Sequence, residues 1–165
     1  MSMTTLQQAA ERHLDDVYGY LAWLTGDRGR AEDLAAEMFE RATRLWHRFD
    51  ESRGSARTWL CQLARSVALD HFRSERRRAR REDAYARGLP LSEEPRFPEG
   101  LAPELELALT RLSPAEREVI ALRVVLDLEG PAAARVLGIS QTACSTKLSR
   151  ALAKLEKELK AHVAA

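Results

Sequence analysis

Cysteine is scarce in this chain: its 165 residues include Cys61 and Cys144 and no others. Each lies within a helical apolar pattern. Two such residues make no disulfide framework, and their scarcity predicts a reducing compartment. Neither has a CxxC or HxxxH companion, so a structural zinc site is not expected. The sequence argues against a disulfide-stapled or metal-stabilised scaffold, and we expect neither a metal nor another cofactor.

Long hydrophobic runs are also missing. No apolar stretch approaches the roughly 18 residues that a membrane-spanning helix needs. Residues 1–11 lack the basic-then-apolar order of a signal peptide. Hydrophobic residues nevertheless make up 45% of the chain, which is normal for a packed core. We therefore expect a cytoplasmic protein with no membrane insertion of its own.

Catalytic constellations are not apparent. The four histidines do not cluster by spacing, and no nucleophile has a recognisable motif around it; the histidines are His13, His47, His71 and His162. Serines and carboxylates have simpler roles as helix caps and surface charges. We therefore expect no catalytic residues and no enzyme.

Strand-like alternation is absent, whereas helical apolar spacing recurs in both halves of the chain. Four of the six prolines lie between residues 84 and 103, together with Gly88 and Gly100. Proline removes a backbone donor, so this stretch is predicted to be a linker. We predict an all-α protein with a helical domain at 1–83, a flexible linker at 84–104 and a second helical domain at 105–165.

The net charge of +1 hides a strong segregation of charge along the chain. Residues 53–81 hold nine arginines against two acids, for +7, and residues 130–160 hold six basic residues against two acids, for +4. The intervening residues 82–129 carry −6. Basic blocks suit a polyanion, because neutralising phosphates releases counterions, although solvated helix faces would give the same counts.

Three helices are predicted in the first domain, at about 6–24, 30–48 and 56–81. The first carries Leu14, Val17 and Tyr18 among its periodic apolar residues. Gly26-Asp27 ends it, and Ser55 is placed to cap the third helix. In the second domain, Ser113-Pro114-Ala115-Glu116 has the order of a capping box. The helix that follows is predicted to bury apolar residues, namely Val119, Ile120, Leu122 and Val125.

Residues 131–152 have the anatomy of a helix-turn-helix, with a short helix, a turn at Gly138-Ile139-Ser140 and a longer helix. In this motif, N-terminal residues of the second helix reach base edges in the major groove. An ordinary helical hairpin would show the same spacing. The candidate DNA contacts, which we call the recognition face, are Gln141, Thr142, Ser145, Thr146, Lys147 and Arg150.

The two halves together resemble bacterial sigma factors. Asp33-Leu-Ala-Ala-Glu-Met-Phe39, Phe49-Asp-x-x-Arg-Gly-Ser55 and Trp59-Leu60 are similar to sigma region 2. Leu112-Ser-Pro-x-x-Arg-Glu-Val119, Leu137-Gly-Ile-Ser140 and Leu148-x-Arg-Ala-Leu152 are similar to region 4. The order and the short length resemble the extracytoplasmic-function (ECF) group of the sigma-70 family, which keeps these two regions. LuxR-type regulators share the region 4 pattern, so that pattern alone is weak. The resemblance rests on the combination of the region 2 and region 4 motifs.

The resemblance implies an alternative sigma factor that binds the β′ and β subunits of the RNA polymerase core and promoter DNA. It assigns core binding to four residues, which we call the polymerase face: Asp33, Leu34, Glu37 and Arg41. It assigns capture of the melted −10 strand to eight residues, which we call the −10 surface: Asp50, Arg53, Gly54, Ser55, Arg57, Arg65, Ser66 and Arg73. The recognition face would read the −35 duplex, and an anti-sigma protein is an expected partner.

This chain departs from the family at several positions. Ala56 stands where an aromatic is frequent, Ser66 where Asn is frequent and Ser145 where Lys is frequent. These departures bear on promoter preference. The alternative is a stand-alone regulator that binds an operator through its helix-turn-helix, which would leave the basic block at 53–81 without a role.

Overall fold

A computed structural model describes residues 3–83 and 100–164, and within these ranges it contains helices and no strand. The predicted all-α class is confirmed. The helices are α1 (Leu6–Thr25), α2 (Arg28–Leu45), α3 (Ala56–Asp83), α4 (Pro103–Thr110), α5 (Pro114–Ile120), α6 (Gly130–Leu137) and α7 (Gln141–Val163).

Helices α1 to α3 pack against one another in the N-terminal half. Gly26 ends α1 in the left-handed conformation, with φ 65°, and Asp27 caps α2 by accepting a hydrogen bond from the Arg30 amide. Helix α2 ends at Leu45, three residues before its predicted end, and a 3₁₀ turn follows at Trp46–Arg48. Ser55 caps α3 as predicted, because its Oγ accepts from the Thr58 amide at 3.1 Å.

The buried side of α1 differs from the predicted one. Leu14 is 47% exposed, whereas Tyr20 is 1% exposed. The prediction that Leu14 belongs to the apolar side was wrong, and Tyr20 was absent from it. Tyr20 is buried because α1 also contacts α5 of the C-terminal half, where Glu118 accepts a hydrogen bond from its hydroxyl.

The C-terminal half contains a helix that the sequence analysis missed. Helix α4 starts at Pro103, so the last two positions of the predicted linker lie in its first turn. Proline fits there because the first helical amide has no intrahelical acceptor. The predicted division into domains stays a prediction, since residues 84–99 of the linker lie outside the described residues.

Helix α5 begins with the predicted capping box, in which the Ser113 amide donates to Glu116 at 2.7 Å and the Glu116 amide donates to Ser113 Oγ at 3.2 Å. After Ile120 the helix widens into a π-helical turn at Ala121–Val125. The prediction that Val125 is buried was wrong, because it is 51% exposed. The extra residue per turn rotates Val125 outward, while Leu126 becomes buried.

The two halves pack on each other. Helix α6 lies against α3, and α5 lies against α1. Buried residues of both halves form one continuous core, from Ala9 to Ala151. The surface of α3, which carries much of the basic block, is therefore partly covered by the C-terminal half.

Candidate nucleic-acid interface

The helix-turn-helix has the predicted geometry. Gly138 ends α6 in the left-handed conformation, with φ 66°, which a residue without a Cβ adopts easily. Ser140 then caps α7, because its Oγ accepts a hydrogen bond from the Ala143 amide at 3.1 Å. The three-residue turn fixes the angle between the two helices and presents the start of α7 to solvent.

All six residues of the recognition face are exposed. On the opposite side of α7, Cys144 and Ala151 are buried, with 1% and 0% exposed. With 3.6 residues per turn, Gln141, Thr142 and Ser145 share one side of the first two turns. Arg150 lies next to Thr146 on the helix surface, and Lys147 lies one step further round, towards the buried side. The first turns of α7 thus offer hydrogen-bonding groups on one side and two cations further round the helix.

The loop between α2 and α3 is held by side-chain hydrogen bonds and by packed aromatic rings. Asp50 Oδ1 accepts from the Ser52 amide at 2.9 Å and from Ser52 Oγ at 2.7 Å. The hydrogen bonds from Ser52 lower the pKa of Asp50 below its ordinary value. Beneath the loop, Trp46 stacks on Phe49 with ring centroids 4.7 Å apart, and Trp59 lies 5.6 Å from both.

Two open cavities flank this loop. One has a volume of about 730 Å³ and lies between the start of α1 and the loop, with Arg12, Arg53 and Arg57 in its lining. The other, of about 280 Å³, has Trp59 and Gln62 on its far side. Arg53 and Gly54 border both, and so does Arg135 of α6. The loop thus carries backbone groups and arginines between two recesses.

The structure brings five residues of the −10 surface together around the loop and places three further along α3. The five that line the larger or the smaller cavity are Asp50, Arg53, Gly54, Ser55 and Arg57. Further along α3, Arg65 donates to Glu118 at 2.7 Å, and Ser66 accepts from Arg41 at 3.4 Å. Arg73 lies 3.8 Å from Asp70 and its side chain is 67% exposed.

The polymerase face is exposed at its acidic positions. Asp33 and Glu37 lie one turn apart on α2, and both are exposed. Arg41 is 3.3 Å from Glu37 and 3.3 Å from Asp70 of α3, which ties this face to the next helix. Leu34, in contrast, is 3% exposed and packs in the core. In this structure Leu34 supports the face from below.

Three residues at the contact between the halves had no role in the sequence analysis: Tyr20, Glu118 and Arg135. Tyr20 Oη donates to Glu118 Oε1 at 2.7 Å, and Arg65 Nε donates to the same oxygen. Burial, reinforced by Glu118, raises the pKa of Tyr20 well above its ordinary value, so the hydroxyl keeps its proton. The available signal was the position of Glu118 directly before the apolar Val119-Ile120 pair, where a charge requires a partner.

Residues 3–83 and 100–164 contain neither a candidate metal cluster nor a candidate membrane span. No group of three potential metal-binding side chains occurs there. No described helix combines the length and hydropathy that crossing a bilayer requires.

Two protein-family descriptions match the chain. "Sigma-70 region 2" matches residues 9–78, and "Sigma-70, region 4" matches residues 103–155. The first spans α1 to α3 with the −10 surface, and the second spans α4 to α7 with the recognition face.

The chain is also similar to curated proteins that are named as ECF sigma factors. The chain is 36% identical over 138 residues to "ECF RNA polymerase sigma factor SigC" of Mycobacterium tuberculosis, a match covering 82% of this chain and 73% of that protein. It is 33% identical over 155 residues to "ECF RNA polymerase sigma factor BldN" of Streptomyces coelicolor, covering 90% of this chain and 58% of that protein.

A solved structure shares the fold. The sigma factor RpoE from Bartonella quintana, in complex with the anti-sigma factor NepR, superposes with a TM-score of 0.74 at 23% identity. The match covers 93% of this chain and 96% of RpoE, so it includes both halves.

Proposed function

Because this chain belongs to the ECF group of sigma-70 RNA polymerase sigma factors, we propose that it directs the polymerase core to promoters through the three surfaces described above. The observation that carries the proposal is the presence of both an exposed recognition face on α7 and a cavity-flanked arginine loop before α3. A stand-alone operator-binding regulator needs the first and has no use for the second.

The recognition face reads the −35 duplex. Gln141 has an amide that can pair bidentately with adenine in the major groove, while Thr142, Ser145 and Thr146 offer hydroxyls to bases or phosphates. Lys147 and Arg150 contact phosphates, which sets affinity and salt dependence more than sequence preference. Support comes from the exposure of all six side chains at the start of α7.

The −10 surface holds the melted strand. Extruding a base from a stack costs a few kcal/mol, so a recess and backbone contacts must offset the cost. The loop at Asp50–Ser55 offers a recess on either side, and Ser52 holds it in one conformation through Asp50. Arg53, Arg57 and Arg73 contact neighbouring phosphates. Ala56 replaces a larger aromatic side chain at this edge, which widens the entry.

The polymerase face docks on the core enzyme. Asp33 and Glu37 present carboxylates on one side of α2, where they suit a basic partner surface. The link from Arg41 to Asp70 holds that side in a fixed relation to α3. Docking of α2 on the core enzyme would therefore also position the −10 surface, because the link from Arg41 to Asp70 joins α2 to α3.

The chain acts by positioning and performs no chemistry of its own. It works in the cytoplasm, where its polymerase is. Membership of the ECF group also implies an anti-sigma partner that keeps the chain from the polymerase until a signal arrives.

A mobility-shift experiment tests the proposal. Promoter fragments are incubated with the chain alone, with core polymerase alone and with both. We expect a sequence-specific shift that requires both components, because each DNA surface is modest alone and linkage on the core raises the effective concentration. A specific shift by the chain alone, unchanged when core is added, would support the operator-binding alternative.

A further inference from the structure

Arg53 and Arg57 border the same cavity beside the −10 loop, but they differ in how firmly each side chain is held. The Arg53 side chain is 88% exposed, and Asp50 Oδ2 lies 3.6 Å from its Nε. The Arg57 side chain is 26% exposed, and its Nε donates to Asp16 Oδ2 of α1 at 2.8 Å. Arg57 is therefore ordered by a close ion pair before any DNA arrives.

We propose that Asp16 is a positioning residue for −10 binding. It holds the Arg57 guanidinium through Nε and so directs the rest of the group towards a phosphate of the melted strand. Asp16 itself would touch no DNA. The inference rests on the proposed function of the −10 surface.

The position of Asp16 relative to the larger cavity supports this role. Arg57 lines the cavity, and so does Arg12, which lies one helical turn before Asp16 on α1. Asp16 is not part of the lining. A strand that enters the recess would therefore meet the two guanidinium groups, while the carboxylate holds one of them from outside the recess.

The shape of a guanidinium explains why a single bond to Nε is enough. Its five N–H groups lie in one plane, and Nε carries one of them. Fixing Nε therefore fixes the directions of the other four. Nη2 of Arg57 donates to another oxygen, the backbone carbonyl of Leu126, so this edge has the orientation that an oxygen acceptor requires. A phosphate oxygen is charged and accepts a stronger hydrogen bond than a carbonyl does.

The imidazole next to Asp16 does not compete with Arg57 for the carboxylate charge. His13 Nδ1 lies 4.0 Å from Asp16 Oδ2. Burial lowers the pKa of His13 below its ordinary value, and Arg57 and Arg12 add to this effect while Asp16 opposes it. The ring is therefore neutral at neutral pH, and the charge of Asp16 faces a cation in Arg57.

Positioning and simple repulsion predict opposite effects when Asp16 is removed. An arginine loses much rotamer freedom when a partner fixes it, and Asp16 imposes that loss before binding. Removing a positioning carboxylate should therefore weaken DNA binding. A carboxylate that only adds negative charge near DNA repels phosphates, so its removal should strengthen binding.

The test uses holoenzyme made from core polymerase and the full chain with Asp16→Ala or Asp16→Asn. Asparagine keeps an oxygen acceptor for Arg57 Nε and removes the charge. The matched control is Asp15→Ala, which removes the same charge from an exposed position next to Asp16. The probe is a promoter fragment obtained by start-site mapping, with its −10 non-template strand unpaired. Circular dichroism and thermal unfolding check that each variant is folded.

A second measurement reads the positioning in the free chain. NMR follows the exchange of the Arg57 Nε–H with water, which a hydrogen bond slows. We expect slow exchange in the parent chain and in Asp16→Asn, and fast exchange in Asp16→Ala. This readout requires neither DNA nor polymerase, so it separates failure of the inference from failure of the proposed function.

We expect Asp16→Ala to weaken binding of the probe by about three- to tenfold, the ratio that ordering one long side chain during binding costs. Asp16→Asn should recover part or all of this loss, and Asp15→Ala should bind no more weakly than the parent. In an Arg57→Ala background, Asp16→Ala should cause no further loss. Unchanged or tighter binding by Asp16→Ala would overturn the proposal. The same holds for a loss that asparagine does not reduce, a loss that persists without Arg57, or Nε–H exchange that does not respond to Asp16→Ala.

Discussion

Tyr20 and Glu118 are joined by a 2.7 Å hydrogen bond although they lie 98 positions apart in the chain. The bond links the region 2 half to the region 4 half, and Arg65 completes it from α3. Two regions that a sigma factor uses at different promoter elements therefore meet at a buried polar contact. This contact relates the fold of the free chain to its proposed work on DNA.

Reversal of charge on the polymerase face should abolish core binding. We expect the double substitution Asp33→Arg and Glu37→Arg to eliminate co-elution with core polymerase in gel filtration. Helicity should be retained, because the pair from Glu37 to Arg41 is an exposed i,i+4 bridge and such bridges contribute little. The matched control is Glu11→Arg with Asp15→Arg, two exposed acids one turn apart on α1. If the Asp33→Arg/Glu37→Arg variant still binds core polymerase, the assignment of core binding to this face is refuted.

Substitutions on the recognition face should separate the residues that set sequence preference from those that set overall affinity. Gln141→Ala is expected to change the preferred −35 sequence at one position, with a discrimination loss of about 1–3 kcal/mol. Lys147→Ala should weaken binding to all sequences evenly. It should also reduce the slope of log affinity against log salt concentration by about one. Affinities for a set of single-base variants, measured at several salt concentrations with holoenzyme, give both quantities. An equal loss on every sequence from both substitutions would contradict base reading by Gln141.

The −10 loop should lose its fixed conformation when Ser52 is changed. Two hydrogen bonds from Ser52 hold the pKa of Asp50 below its ordinary value. A carboxyl with a depressed pKa in the folded state contributes stability above its unfolded pKa, and the contribution is lost as pH falls through the folded value. We expect Ser52→Ala to raise the pKa of Asp50 in an NMR titration, with Glu51→Ala as the neighbouring control. Alanine keeps the backbone amide bond to Asp50, so an unchanged Asp50 titration would show that the bond from Ser52 Oγ does not form in solution.

The capping box of α5 should support the C-terminal half. Ser113→Ala removes the acceptor for the Glu116 amide and should lower the free energy of unfolding by about 1 kcal/mol. Ser149→Ala, at an exposed position within α7, should be neutral or slightly stabilising because alanine favours helix interiors. Urea unfolding followed by circular dichroism compares the two, and equal midpoints would speak against the cap.

The buried cysteines should be inert in the folded chain. Burial raises the pKa of Cys61 to about 12, so almost no thiolate exists at neutral pH. Cys144 is 1% exposed. We expect both to react with a thiol reagent at pH 8 after unfolding in urea and not before. Rapid modification of the native chain would contradict the packing of α3 and α7.

Much of this fold follows from local sequence signals. Ser55, Ser113 and Ser140 predict three helix starts, and Gly26 and Gly138 predict two helix ends, because caps and left-handed turns act within four residues. Helix α4 was missed because Pro103 also fits a linker. The exposure of Val125 was missed because a π-helical turn shifts the register without a distinctive residue.

The candidate site was less accessible to sequence reasoning than the fold. The recognition face follows from the motif, since the turn at Gly138 fixes which residues begin α7. The contacts of Arg57 and Arg65 join parts of the chain 69 and 53 residues apart. No periodicity encodes such a pairing, so these arginines were predicted as DNA contacts and are found paired within the protein.

Mapping of transcription start sites tests the central claim most directly. Purified core polymerase is given a genomic fragment library with the chain, with the Asp33→Arg/Glu37→Arg variant or with buffer. We predict that new start sites appear only when the unmodified chain is added. These start sites should be preceded by shared −10 and −35 sequences at a constant spacing. Start sites identical to those of core polymerase in buffer would contradict the account.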